Sequence, residues 1–274
     1  MSNKLDLDSL IDAYESSQGR ILREFINDSK YLLQIHDANF NEITLLIEEY
    51  ESVTTTSTLQ SKAEIVDVGR VASQEYLARF LRFMHNYCAS LYTIEQQYTE
   101  FLTARHYRGA PYNIKIGEVF RELLANPKYL FFFAMRNYFS HLRIPDIKVG
   151  VLHSKRTDVN NSDTIFMTRG RFTIANRFFS SDINMVFFEN TSKYKSRLIT
   201  DEKRLKILAQ FITKVARHHI DIEIKDILYE LQNELHDHLK RINKMLVDEN
   251  KDQYIESVKL IEEIKKRQDT LRKT

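Results

Sequence analysis

The chain has 274 residues, 43% of them hydrophobic, with six glycines and three prolines. That is ample material for a core, and the scarcity of turn formers beside recurrent Leu, Ile, Glu and Lys excludes an all-β fold and predicts long helices. The net charge of +2 conceals a segregation: residues 128–206 hold 15 Lys or Arg against 7 Asp or Glu, leaving 25 against 31 elsewhere, and a basic middle of this size can concentrate a polyanion near one surface.

Residues 5–51 read as two acidic amphipathic helices. Leu10, Ile11 and Tyr14 mark the apolar face of the first, and Leu32, Leu33, Ile35, Phe40, Ile43, Leu46 and Ile47 that of the second. The opening residues lack the basic and apolar character of a secretion signal, so a cytoplasmic protein is expected. No apolar run approaches the roughly 20 residues that span a bilayer, so no membrane partner is expected. The threonine-rich stretch 52–61 is a predicted connector.

A long helix over 62–107 follows, its stripe marked by Val68, Val71, Tyr76, Phe80, Phe83, Tyr87, Leu91, Ile94, Tyr98 and Leu102, and Gly109, Ala110 and Pro111 end it. The only cysteine, Cys88, lies in this stripe. It is read as a small core residue, and a single cysteine forms neither an intrachain disulfide nor a thiolate metal cluster.

After a short helix over 114–125, Asn126 and Pro127 give the start signal of another, Asn as the cap and Pro at the first helical position. Its aromatic run Phe131, Phe132 and Phe133 is expected in the core, and its polar end carries Arg136, Asn137 and, in the last turn, His141. Pro145 disfavours helical geometry at Ile144, so the helix should stop near Leu142. The pattern then changes to short apolar runs, IKVGVLHS, DTIFMT, FTIA and NMVFF, which predict a β-hairpin and a candidate third strand within 146–198. Helices over 200–217, 220–247 and 253–271 complete the chain.

Arg136, Asn137 and His141 are the candidate catalytic residues. An Arg can hold a phosphate by two hydrogen bonds, a His gives or takes a proton near neutral pH, and an Asn orients either. These are the groups a metal-free ribonuclease needs. Arg79 and His85 have a similar spacing, but they sit in the aromatic stripe of the long helix and read as packing or surface residues. At about 100° per residue, Asn137 and His141 share a helix face while Arg136 points away from His141. A complete site therefore needs two copies of the helix across a two-fold axis, which predicts a homodimer. No metal and no cofactor are expected. His218 with His219, and His236 with His238, are too close in sequence to share a helix face, and the glycines form no phosphate-cradling loop.

The phrase RNYFSHLRIP, with four residues between Arg136 and His141 and a polar residue after the Arg, resembles the motif of HEPN domains. These are α-helical bundles, many of them metal-independent endoribonucleases that dimerise to build a shared site and act as toxins or in anti-phage defence. The resemblance implies Arg136 as the phosphate-binding group, Asn137 as its polar partner and His141 as the proton-transfer group. It also implies RNA as the substrate, and an antitoxin or sensor protein as a further partner. Arg143, Lys148, Lys155 and Arg156, in the basic segment, are the candidate RNA contacts. Arg143 stands where some HEPN toxins carry a Tyr that a partner modifies, which argues against that regulation.

The expected fold is thus mainly α. It is a HEPN-like helical bundle formed by 62–145 and 200–247, with a small β-hairpin inserted after the motif helix and the acidic N-terminal helices outside the bundle. The alternative is a non-catalytic helical interaction or RNA-binding protein in which Arg136 and His141 are structural.

Overall fold

The computed structural model describes residues 2–54, 62–103, 111–141, 147–157, 164–175, 200–216 and 221–273. In chain order these form α1 (Ser2–Glu15), α2 (Gln18–Thr54), α3 (Lys62–Thr103), α4 (Pro111–Leu124), α5 (Pro127–His141), β1 (Ile147–Thr157), β2 (Thr164–Ala175), α6 (Asp201–Ala216), β3 (Asp221–Glu223), α7 (Ile224–Glu249) and α8 (Lys251–Lys273). The protein is mainly α, with a small antiparallel sheet. No helix among the described residues is long and apolar enough to cross a membrane.

The periodicity translates directly into packing. Ile224, Ile227, Leu228, Leu231, Leu235, Leu239, Ile242 and Leu246 recur at three- and four-residue steps, and all are buried along one stripe of α7. In α3 the buried positions include Tyr76, Phe80, Tyr87, Leu91, Ile94, Tyr98 and Leu102, with Cys88 among them at 1% exposure. Phe131 and Phe132 of α5 are completely buried.

Side-chain pairs fix the directions of the long helices. His36 meets Ser90, and Glu49 meets Arg79, so α2 and α3 run antiparallel. Asn243 reaches Ser29 and Lys225 reaches Glu51, so α7 also opposes α2. Tyr87 packs on Phe132 and His85 on Phe139, which places α5 along α3. α2 is therefore an integral wall of the bundle and not an element outside it: Leu22, Ile26, Ile43, Leu46, Ile47 and Tyr50 all enter the common core.

Several expected boundaries move. Pro111 opens α4, and with no N–H to donate it costs nothing in the first turn of a helix. TIFMT and FTIA belong to one strand, β2, continuous through Arg169, Gly170 and Arg171. The third strand is β3, taken from the start of the segment read as helix; it pairs Glu223 with Thr173. The run NMVFF lies outside the described residues, as does most of the stretch 52–61. The cap of α5 is as expected, with Asn126 Oδ1 accepting from Lys128 N at 2.9 Å.

The sheet sits against the α2 and α3 ends that meet at Glu49 and Arg79. Phe172 stacks on Phe80 at 4.2 Å and packs on Tyr50, and a Cβ at Gly170 would lie 2.5 Å from Thr54 Oγ1 and from the Tyr50 ring. At the other end of α2 the packing is tighter still. A Cβ on Gly19 would collide with the backbone carbonyl of Gln253 and lie 2.9 Å from Ser257 Cβ on α8. Backbone cannot swing aside, so Gly19→Ala should destabilise the fold by about 1–3 kcal/mol, outweighing a propensity gain of at most about 1 kcal/mol. Urea denaturation reads this directly, and an unchanged or raised midpoint would refute the close approach of α2 and α8.

Candidate active site at the end of α5

Positions 129, 133, 136 and 137 of α5 fall on successive turns and face α3 and α6. Tyr129 donates its hydroxyl to Glu95 on α3, and Arg204 on α6 reaches the same carboxylate oxygen at 3.4 Å. Arg204 also lies over the Phe133 ring, 4.2 Å from its centroid. One turn further along, the Arg136 guanidinium lies 3.9 Å from the centroid of Tyr92, itself 5.9 Å from Phe133. The site is a file of alternating cations and rings, with one buried carboxylate at its inner end. Burial, reinforced by the Glu95 charge, pushes the Tyr129 hydroxyl well above its usual range, so it stays a neutral donor.

The two arginines differ in one respect. Arg204 is 3% exposed and ion-paired to Glu95, whereas Arg136 is only partly buried and meets no carboxylate among the described residues. Its polar contact is Asn137, whose Oδ1 accepts from a guanidinium nitrogen at 3.1 Å. Asn137 is 1% exposed and its Nδ2 finds no partner among the described residues. The amide is thus a group that positions the arginine from inside the protein. Arg136 also bears on Cys88: burial drives that thiol far above its usual range and the nearby guanidinium opposes this only in part, so Cys88 is inert as a nucleophile.

His141 is the last residue of α5, one turn beyond Asn137 along the backbone. Its side chain, and Arg143 altogether, lie outside the described residues. Arg79, the other arginine with a histidine at similar spacing, makes a two-pronged ion pair with Glu49 at 2.8 and 3.1 Å. Its charge is committed, as a packing or surface reading requires. His236 pairs with Asp37 at 2.6 Å and His238 binds the Glu234 carbonyl at 2.8 Å. Among the described residues no cluster of three potential metal ligands exists.

Of the candidate RNA contacts, Lys148, Lys155 and Arg156 are on β1. Of these, Lys148 is exposed, and the side chains of Lys155 and Arg156 lie outside the described residues. Sequence reading missed Tyr92, Glu95 and Arg204. Neither the ring under Arg136 nor the buried ion pair leaves a local signal, because the partners are distant in the chain.

Comparison with protein-family models, with curated proteins and with solved structures gave no match.

Proposed function

We propose that the chain is a metal-independent endoribonuclease of HEPN type, working as a homodimer that joins two copies of the α5 end. The observation that carries this reading is Arg136: a guanidinium fixed by Tyr92 and Asn137, partly open to solvent, with no carboxylate among the described residues to neutralise it. A positioned, unpaired guanidinium is what a phosphodiester needs, since it can meet the charge that builds on the phosphorane oxygens. In the reaction the 2′-oxygen of a ribose forms a bond to the adjacent phosphorus and the bond from phosphorus to the 5′-oxygen breaks. His141 moves the proton from nucleophile towards leaving group. The products are a 2′,3′-cyclic phosphate and a 5′-hydroxyl end, and DNA, which lacks the nucleophile, is left whole.

The test is incubation of the purified chain with structured and unstructured RNA in EDTA, with chemical analysis of the new ends. Arg136→Ala and His141→Ala should each lower cleavage by about 100-fold or more, while His141→Ala costs under about 1 kcal/mol of stability. If wild type and His141→Ala leave a broad set of RNAs equally intact, the enzyme reading fails. A wild type that is monomeric by light scattering would remove the shared site.

A second reading, a non-catalytic interaction protein, draws support from α2. Tyr31, Ile35, Leu45 and Val53 are 64, 40, 64 and 54% exposed and lie within about 80° of one another around the helix. That apolar strip would serve a partner protein whether or not RNA is cut.

A further inference from the structure

We propose that the outer face of α6 binds the phosphates of an RNA strand, on the side of that helix opposite the arginine file at the end of α5. The inference rests on the RNA reading above and adds a binding surface to it. Lys203, Lys206, Gln210 and Lys214 are all exposed, and at about 100° per residue they lie within roughly 80° of one another around the helix. Leu208 and Ile212, on the other side, are buried in the core. The amphipathic pattern that seats α6 therefore turns its lysines to solvent.

Uncompensated charge, more than exposure, singles this face out. None of the three lysines has an ion pair or a side-chain hydrogen bond among the described residues. Glu202, four residues before Lys206, makes no ion pair with it, and between Glu202 and Asp221 the sequence holds no Asp or Glu. On α7, by contrast, the exposed Lys240 and Lys244 are bracketed by the exposed Asp237 and Asp248, three and four residues away. Like charges three residues apart on a helix repel, as Lys203 and Lys206 are placed to do. A bound anion relieves that repulsion.

The shape suits a strand. An open hollow lies over this face, lined among the described residues by Lys206, Ala209, Gln210, Thr213 and Lys214. Lys206 and Lys214 are eight residues apart, about 12 Å along the axis, so a strand crossing the hollow meets them at separate phosphates. Between them Gln210 has no side-chain hydrogen bond among the described residues, and its amide can serve a phosphate or a ribose hydroxyl. No bulky apolar side chain on α6 is exposed beside the lysines, which sets this face apart from a helix that sinks into a lipid surface. The contact is therefore electrostatic and indifferent to sequence. Arg204, next to Lys203, turns the other way onto Phe133 at 4.2 Å from the ring centroid. The lysine face and the arginine file thus lie on opposite sides of one helix, roughly 10 Å apart.

The experiment is a fluorescence-anisotropy titration with a labelled single-stranded RNA and with DNA of the same sequence, in the full-length His141→Ala chain so that no probe is cut. The double substitution Lys206→Gln and Lys214→Gln should weaken RNA binding about tenfold and reduce the salt slope by about 1–2. DNA should be weakened equally, since both present phosphates. Lys240→Gln with Lys244→Gln removes the same net charge from α7 and should change binding less than twofold. Unaltered binding by the α6 variant overturns the proposal, as does an equal loss in the α7 variant, because that would be net charge acting without a face. Sedimentation with phosphatidylserine vesicles should leave the chain in solution; capture by vesicles that the α6 variant alone loses would assign the face to a lipid surface and overturn the RNA proposal. Far-UV circular dichroism and the melting temperature confirm that each variant is folded. The outcomes separate from those of the enzyme reading: RNA held through α6 but never cut by the wild type sinks only the enzyme, and RNA cut with an unchanged affinity in the α6 variant removes only this surface.

Discussion

Arg204→Ala should destabilise the fold by about 3–5 kcal/mol, seen as a lower denaturant midpoint at unchanged slope. Arg204 and Glu95 are 3 and 4% exposed, so each has given up its water and depends on the other. Removing the guanidinium leaves a carboxylate among Tyr129, Phe133 and Tyr92, with only the Tyr129 hydroxyl to hydrogen-bond it among the described residues. It also takes away a planar cation packed on Phe133 and leaves a hole between α5 and α6. The loss is therefore larger than the net worth of the ion pair, which desolvation of both charges reduces. That distinction is itself testable. Replacing all three polar groups together, with Glu95→Leu, Tyr129→Phe and Arg204→Met, leaves no orphan and should recover most of the loss. A cost under about 1 kcal/mol for Arg204→Ala would mean that the pair is hydrated and that α6 does not close over α5 as described.

How much of this was readable beforehand depends on whether the signal was local. Caps and stripes were: the Asn126 cap, the buried positions of α7 and the aromatic core of α5 follow from residues a few positions apart, and helical periodicity suffices to place them. α2 shows where that reasoning stops. Its period marks Ile35 for the core, yet Ile35 is 40% exposed and His36 beside it is fully buried. A polar group can be preferred inside only if a partner waits there, and the partner, Ser90, comes from α3.

The candidate site divides in the same way. Arg136, Asn137 and His141 stand out because the chemistry is concentrated within six residues at one helix end. What fixes Arg136 is Tyr92, from another helix, and what distinguishes it from Arg79 is the presence of Glu49 beside one and of no carboxylate beside the other among the described residues. The hairpin was legible as strands, but its register was not, since that is set only by pairing.

His36 gives the second large effect, a loss of stability in mild acid. Ser90 Oγ gives its proton to the Tyr87 carbonyl at 2.9 Å, so the imidazole donates from Nδ1 to that oxygen at 2.8 Å. Its Nε2 is left buried with no partner within hydrogen-bond distance among the described residues. Protonating it would place a charge in the core, beside the Tyr87 ring and near His236, which is paired to Asp37. Burial is the main cause, and the His236 charge the second, of a pKa lowered from 6.5 to about 3, with the Gln232 side chain acting weakly the other way. The unfolded chain therefore binds a proton that the folded chain refuses between about pH 6.5 and pH 3. Stability from this group is complete above the unfolded pKa and falls as the pH drops below it. Between pH 7 and pH 5 the loss should be about 2 kcal/mol. Carboxylates titrate lower, but to isolate the histidine the same curve is measured for His36→Phe, which keeps a ring against Tyr87 and cannot be charged. The difference in unfolding free energy between wild type and His36→Phe should slope by about 1.4 kcal/mol per pH unit below pH 6 and flatten above pH 7. Parallel curves for the two proteins would show that His36 is protonated in the fold and that the contact of α2 with α3 is open to water.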